Sequence, residues 1–194
     1  MSPARRFALS LAGAISALFV ACGEPPDKEM QQAQGAIDAA RAAGADTYAH
    51  DELTAAQDAL KAASEAVRES DYRLALNQAL SSREHAQEAA RQAADHKATA
   101  RSDAERALHD ASAALGEVRL KLRTADPSRV PPKMLAEARR LIADGEQTVQ
   151  KASAAFASGD YLGVTSAVRD TTGKLRALAR DLDSAAGPGA RRRR

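Results

Sequence analysis

Apolar residues return every three, then four, positions along most of this chain, and nowhere do they alternate in twos. That spacing draws a stripe down one side of an α-helix, whereas a half-buried strand needs a period of two. Met30, Ala33, Ile37 and Ala40 make the first stripe. It predicts a helix over 27–43, with Asp27 able to cap it and Gly44 as its stop. After Asp46, Thr47 and Tyr48, a second helix is expected from near Asp51 on Leu53, Ala56, Leu60, Ala63 and Val67, ending near Ser70 and Asp71. Tyr72 opens a third, long helix over 72–124, clearest at Ala104, Leu108, Ala111, Leu115, Val118 and Leu122. Its middle, 83–101, is nearly all Ala, Gln, Glu, Arg and His, helical by propensity but with little to bury.

Pro127, Pro131 and Pro132 mark a loop. A fourth helix then carries Leu135, Ala138, Ile142, Gly145, Val149, Ala152 and Phe156 on one stripe, and Ser158-Gly159 breaks it. The fifth uses Tyr161, Val164, Val168, Leu175, Leu178 and Leu182, with Thr171 filling the gap, until Gly187-Pro188-Gly189 ends it. A three-four step kept in every helix favours shallow crossing angles. The expectation is an all-α fold: an elongated antiparallel helical bundle, or helical hairpins, of about five helices with coiled-coil-like heptad seams.

The pattern also repeats. Ala-Val-Arg-Glu-Ser-Asp71-Tyr72 echoes Ala-Phe-Ala-Ser-Gly-Asp160-Tyr161, and loops beginning Ala45-Asp46 and Ala125-Asp126 lie ahead of each. Leu53 precedes Asp71 by 18 positions and Leu135 precedes Asp160 by 25, a difference of one heptad that returns the seam to the same face. An internal duplication is expected, with units over 27–100 and 101–184 and the third helix shared. At each junction the Asp can cap the new helix and the Tyr can pack into the corner, so Asp71, Tyr72, Asp160 and Tyr161 read as architectural.

Composition narrows the kind of core. Aromatics are only 3% and Trp is absent, so thin alanine seams suit the chain better than a thick globular interior. The net charge of +2 is uneven. Without Arg5 and Arg6, 26 basic groups face 26 acidic ones; setting aside the four C-terminal arginines leaves a helical body at −4 and a tail at +4. That is not the uniform basicity of a nucleic-acid binder.

The first residues have their own logic. A basic start at Arg5 and Arg6 precedes an apolar or small-residue run over 7–20, about 14 residues where a membrane span needs about 20. Basic start, short apolar middle and small exit residue are the parts of a secretory signal, expected over 1–21. The exit, Leu18-Phe19-Val20-Ala21-Cys22-Gly23, resembles the bacterial lipobox, although Phe19 stands where an aliphatic residue is usual. That resemblance implies diacylglycerol on the Cys22 sulfur and an acyl chain on its amine, with 22–26 as tether. Gly23 rather than Asp next to the cysteine implies the outer membrane, by similarity to enterobacterial lipoproteins. The plainer alternatives are a cleaved signal with an incidental cysteine, or a free thiol. Cys22 is the single cysteine, so no internal disulfide competes for it.

Over about 31–107, the run Ala-Gly-Ala-Asp-Thr-Tyr48-Ala, then Glu-Leu53, then Asp-Tyr72 and an alanine-rich helix resembles the alanine-rich helical lipoproteins of domain-of-unknown-function family 4398. The resemblance implies export. Members often carry a following OmpA-like peptidoglycan-binding domain, for which the residues after Ser184 leave no room, so no grip on the cell wall through one is expected. Gly159-Asp160-Tyr161 is also similar to the turn of tetratricopeptide repeats, but the Asp-Tyr pairs lie 89 residues apart and the period of about 34 is missing.

Signals of chemistry are sparse. His50, His85, His96 and His109 form no four-residue pair on a helix, and no His-Glu-x-x-His, Gly-x-Ser-x-Gly or phosphate-loop pattern occurs. His85 and His96 share a helical face eleven residues apart, which leaves open a surface metal contact or simple solvated side chains. Arg191, Arg192, Arg193 and Arg194, within a tail over 185–194 expected to be disordered, either meet anionic headgroups and lipopolysaccharide phosphates or form a solvated end. No catalytic residue, metal or cofactor is expected, nor a nucleic-acid partner or small-molecule substrate. The leading expectation is a non-enzymatic, lipid-anchored spacer or docking surface of the bacterial periplasm, partnered by an envelope protein or by itself. The alternative is a ligand-binding or sensing helical module, with the alanine-rich middle of the third helix opening to admit a ligand.

Overall fold

Gly44 turns the chain at a φ of +96°, a left-handed conformation that a side chain resists, and there the first helix gives way. The computed structural model describes residues 24–126 and 128–186. Among them are six helices and no strand: α1 (Asp27–Ala42), α2 (Ala45–Tyr48), α3 (His50–Arg68), α4 (Tyr72–Thr124), α5 (Pro132–Ala157) and α6 (Tyr161–Ala186). The fold is an all-α helical bundle. The expectation of about five helices missed α2, a single turn that four residues cannot reveal by period. Thr47 and Tyr48 both donate backbone N–H to the Gly44 carbonyl at 3.0 Å, and Ala45 and Ala49 are buried, so the corner is tied into the core.

The chain divides into two compact units between Ala94 and Asp95. The first holds α1, α2, α3 and the start of α4; the second holds the rest of α4 with α5 and α6. In the first unit Ile37, Leu53, Ala40, Ala56, Ala86, Ala89 and Ala93 form one buried cluster, with Tyr48 and Leu60 packed against it. The middle of α4 therefore does bury a face, against the expectation drawn from its composition. Ala86, Ala89 and Ala93 are wholly covered because methyl-sized side chains let neighbouring helix axes draw close. Ser82 belongs to the same seam and gives its hydroxyl hydrogen to the Ala56 carbonyl at 2.7 Å.

The second unit has two buried clusters. One gathers Leu115, Val118, Val130, Ala138, Leu175, Leu178 and Leu182; the other gathers Ala104, Ala111, Ala152, Val164 and Val168 near the α5–α6 turn. Gly145 is buried on α5, where an added Cβ would stand 2.8 Å from Leu115 Cδ2, so glycine sets the approach of α5 to α4. On α6 the gap in the stripe is filled by Thr172 rather than Thr171. Thr172 is buried and returns its hydroxyl to the Val168 carbonyl at 2.7 Å.

Helix ends follow local chemistry. Asp27 is the first residue of α1, and Pro26 holds the capping position without a side-chain bond, so Asp27 serves the helix dipole and not as cap. Pro132 begins α5, where its missing N–H costs nothing. Asp126 accepts from the Ser128 N–H at 2.9 Å and the Ser128 hydroxyl at 2.7 Å, shaping the loop that buries Val130.

Candidate functional site

The two Asp-Tyr junctions have one design. At the end of α3, Ser70 N–H reaches the Val67 carbonyl at 3.0 Å and Asp71 N–H the Ala66 carbonyl at 2.9 Å. At the end of α5, Gly159 N–H reaches Phe156 at 3.1 Å and Asp160 N–H reaches Ala155 at 3.0 Å. Both are paired closures around one left-handed residue, Ser70 at φ +60° and Gly159 at φ +87°. The closing aspartate then starts the next helix. Asp71 Oδ1 accepts from Leu74 N–H and Asp160 Oδ1 from Gly163 N–H, each at 2.9 Å. Gly163 leaves room for that carboxylate, which occupies the space a Cβ would fill. Both caps lie at the surface, while the tyrosines are half-buried. Tyr161 packs its ring at 5.2 Å and 57° from Phe156, over which the Arg101 guanidinium sits at 6.0 Å. Asp71, Asp160 and Tyr161 make their contacts within the helix junctions, and Tyr72 is half-buried at the start of α4.

Titratable groups pair mostly as surface ions. His85 Nδ1 lies 2.8 Å from Glu52 Oε2, joining α4 to α3 at a half-buried position. His85 and His96 are not brought together with a third ligand: no group of three or more His, Cys, Asp or Glu that could hold a metal occurs among the described residues. Between helices of the second unit, Arg119 pairs with Glu146, Lys121 with Asp183 and Arg176 with Asp110. The bond to Asp183, aided by Glu117, holds the Lys121 ammonium above its ordinary pKa of 10.5 although burial pulls it down. Asp170 does the same for Lys174. No buried side-chain polar atom among the described residues lacks a hydrogen-bond partner.

An open groove of about 860 Å³ lies between α5 and α6. Met134, Leu141, Ala177 and Leu178 form its floor, and charged side chains of both helices stand along its rims. Sequence reading missed it, because the signal is a second stripe on α5, offset from the core-facing one. Among the described residues, Leu74, Leu76, Leu120 and Leu162 are the exposed large apolar side chains.

Cys22 and Arg191, Arg192, Arg193 and Arg194 lie outside the described residues. Among the described residues, no helix is long and apolar enough to cross a membrane. Comparison with protein-family models, curated proteins and solved structures gives no match in any of the three.

Proposed function

We propose that this chain is a lipid-anchored, non-enzymatic structural or interaction protein of the bacterial cell envelope. It is held at the periplasmic face of the outer membrane, where its helices serve as a spacer or docking surface. The observation that carries the reading is the run Leu18-Phe19-Val20-Ala21-Cys22-Gly23, placed directly after a basic start and a short apolar stretch. A lone cysteine at that point is where acyl chains attach, and each buried acyl CH₂ contributes about 0.8 kcal/mol, so more than one chain gives a lasting tether.

The helical body supports a mechanical or docking role over a chemical one. Among the described residues, alanine seams fill much of the interior beside the leucine and valine clusters of the second unit, and the polar groups pair as surface ions and caps. A ligand-binding module is the alternative. The alanine-rich stretch of α4 that it would use is packed against Ile37 and Leu53. Metabolic labelling with radioactive palmitate tests the anchor. Label is expected on the native chain and not on Cys22→Ser, which should leave the membrane fraction. An unlabelled native chain, with Cys22→Ser fractionating unchanged, sinks the proposal.

A further inference from the structure

The charges along the α5 rim of the groove are arranged with a symmetry that a single chain does not use. On α5 the rim reads Lys133, Glu137, Arg140, Asp144, alternating in sign at steps of four, three and four. Such spacing permits ion pairs within a helix, as Arg101 with Glu105 and Arg106 with Asp103 show on α4. Among the described residues, none of the four α5 rim charges makes an ion pair.

Their order explains what they suit. Lys133 and Asp144 are equidistant from a point between Ala138 and Arg139, and so are Glu137 and Arg140. When two identical helices pack antiparallel about a two-fold axis, residues equidistant from the axis face one another across it. An axis at that point sets Lys133 of one copy against Asp144 of the other, and Glu137 against Arg140. Each pair of opposite charges occurs twice.

Of the apolar lining, Leu141 and Ala136 are also equidistant from that centre, a large side chain against a small one, whereas Met134 has no counterpart in the lining. On α6 the corresponding centre falls between Ala177 and Leu178, which sets those two against each other and Lys174 against Asp181. Asp181 makes no ion pair among the described residues, while Lys174 already pairs with Asp170 of its own helix at 2.6 Å. The two centres stand within about one helical turn of a common level, counting 1.5 Å per residue from the α5–α6 turn, and Ala138 shares a buried cluster with Leu178. One axis can therefore pass both helices, along the face that carries the groove.

We propose that this groove is the interface of a homodimer, in which α5 and α6 of two copies form an antiparallel four-helix layer. The proposal rests on the reading of the chain as an interaction protein, and not on its lipid anchor. The partner's charges replace solvent along both rims and cover the half-buried Met134 and Leu141. Because the contact is isologous, any single charge reversal damages it at two places.

Sedimentation equilibrium tests this on the full-length chain in density-matched detergent and on Cys22→Ser in buffer. A concentration-dependent dimer is expected in both, weakened at high salt. Lys133→Asp, which sets two aspartates facing Asp144, should raise the dimer dissociation constant about tenfold or more, and Glu137→Arg should do likewise against Arg140. The exchange Lys133→Asp with Asp144→Lys keeps the facing signs opposite and should recover the native constant within about threefold. Circular dichroism melts of each variant check that the monomer fold is intact, as expected at exposed positions. A strict monomer at about 100 μM overturns the proposal, whether the groove then holds another protein or nothing. So does a dimer indifferent to the single reversals, one not recovered by the exchange, or one confined to the acylated chain. Failure of palmitate labelling removes the anchor and leaves this interface standing.

Discussion

Ser82 and Ala56 are joined across the α3–α4 seam by a hydroxyl-to-carbonyl bond of 2.7 Å, and Ser82 is wholly out of water. The bond shows how an interior made of methyl groups handles a polar side chain: the hydroxyl is small enough for the seam and reaches a carbonyl already bonded in its own helix. Ser82→Ala should cost about 1 kcal/mol, since no buried donor is stranded. Ser82→Leu should cost more, about 1–3 kcal/mol through overpacking. Chemical denaturation of the two variants checks the order, and equal tolerance of both would show that the seam is loose.

The paired junctions make a prediction of opposite signs. Ser70 pays for its left-handed backbone at φ +60°, while Gly159 holds the equivalent φ of +87° freely. Ser70→Gly should stabilise by about 1 kcal/mol and Gly159→Ser should destabilise by a similar amount. Thermal melts that move in the same direction for both would contradict the shared geometry.

Asp71 and Asp160 each accept one backbone N–H at a helix start. Replacing either by Ala should cost about 1 kcal/mol. The two sites lie in separate compact units and share no partner, so the double variant should lose about the sum. Markedly non-additive urea midpoints would count against independent caps.

Two helical glycines should respond in opposite ways to alanine. At Gly145 the new methyl meets Leu115 at 2.8 Å and Leu175 at 3.5 Å, so Gly145→Ala should destabilise by about 1–3 kcal/mol. At Gly116 nothing lies within 4 Å, and Gly116→Ala should stabilise by about 0.5–1 kcal/mol. Equilibrium unfolding of the pair decides it, and a gain at Gly145 would mean that α5 can retreat without cost.

Lys121 carries an alkaline signature. Its pKa is raised in the folded chain, chiefly by Asp183, so its contribution is complete below the ordinary value of 10.5 and fades as pH climbs past the raised value. Lys121→Met should therefore reduce the stability lost on the alkaline side of 10.5. Melting temperature against pH, compared between the two chains, reads it directly.

The helices and their breaks were legible because Gly44, Gly159 and the prolines punctuate a strong three-four period. What escaped was short or light. α2 spans less than one period of any pattern, and Ala86, Ala89 and Ala93 carry too little hydrophobic weight to announce a buried face. Thr171 and Thr172 differ by one position, and only packing selects the second. The Asp-Tyr repeat was visible as letters, but its paired closure and cap needed the backbone. The α5–α6 groove was hidden because its residues form a charged stripe, the usual look of a solvated surface.

The alanine seams carry a consequence for inheritance. Glycine aside, every amino acid one base change away from an alanine codon is bulkier, so a random mutation at Ala40, Ala56, Ala86 or Ala93 adds atoms to a position already wholly covered. Most interiors erode by losing volume, and neighbours can partly settle into the gap. This one is exposed to gain instead. Lineages of this chain should hold those positions nearly fixed while the outer charges drift, the reverse of what their modest chemistry would lead a reader to expect.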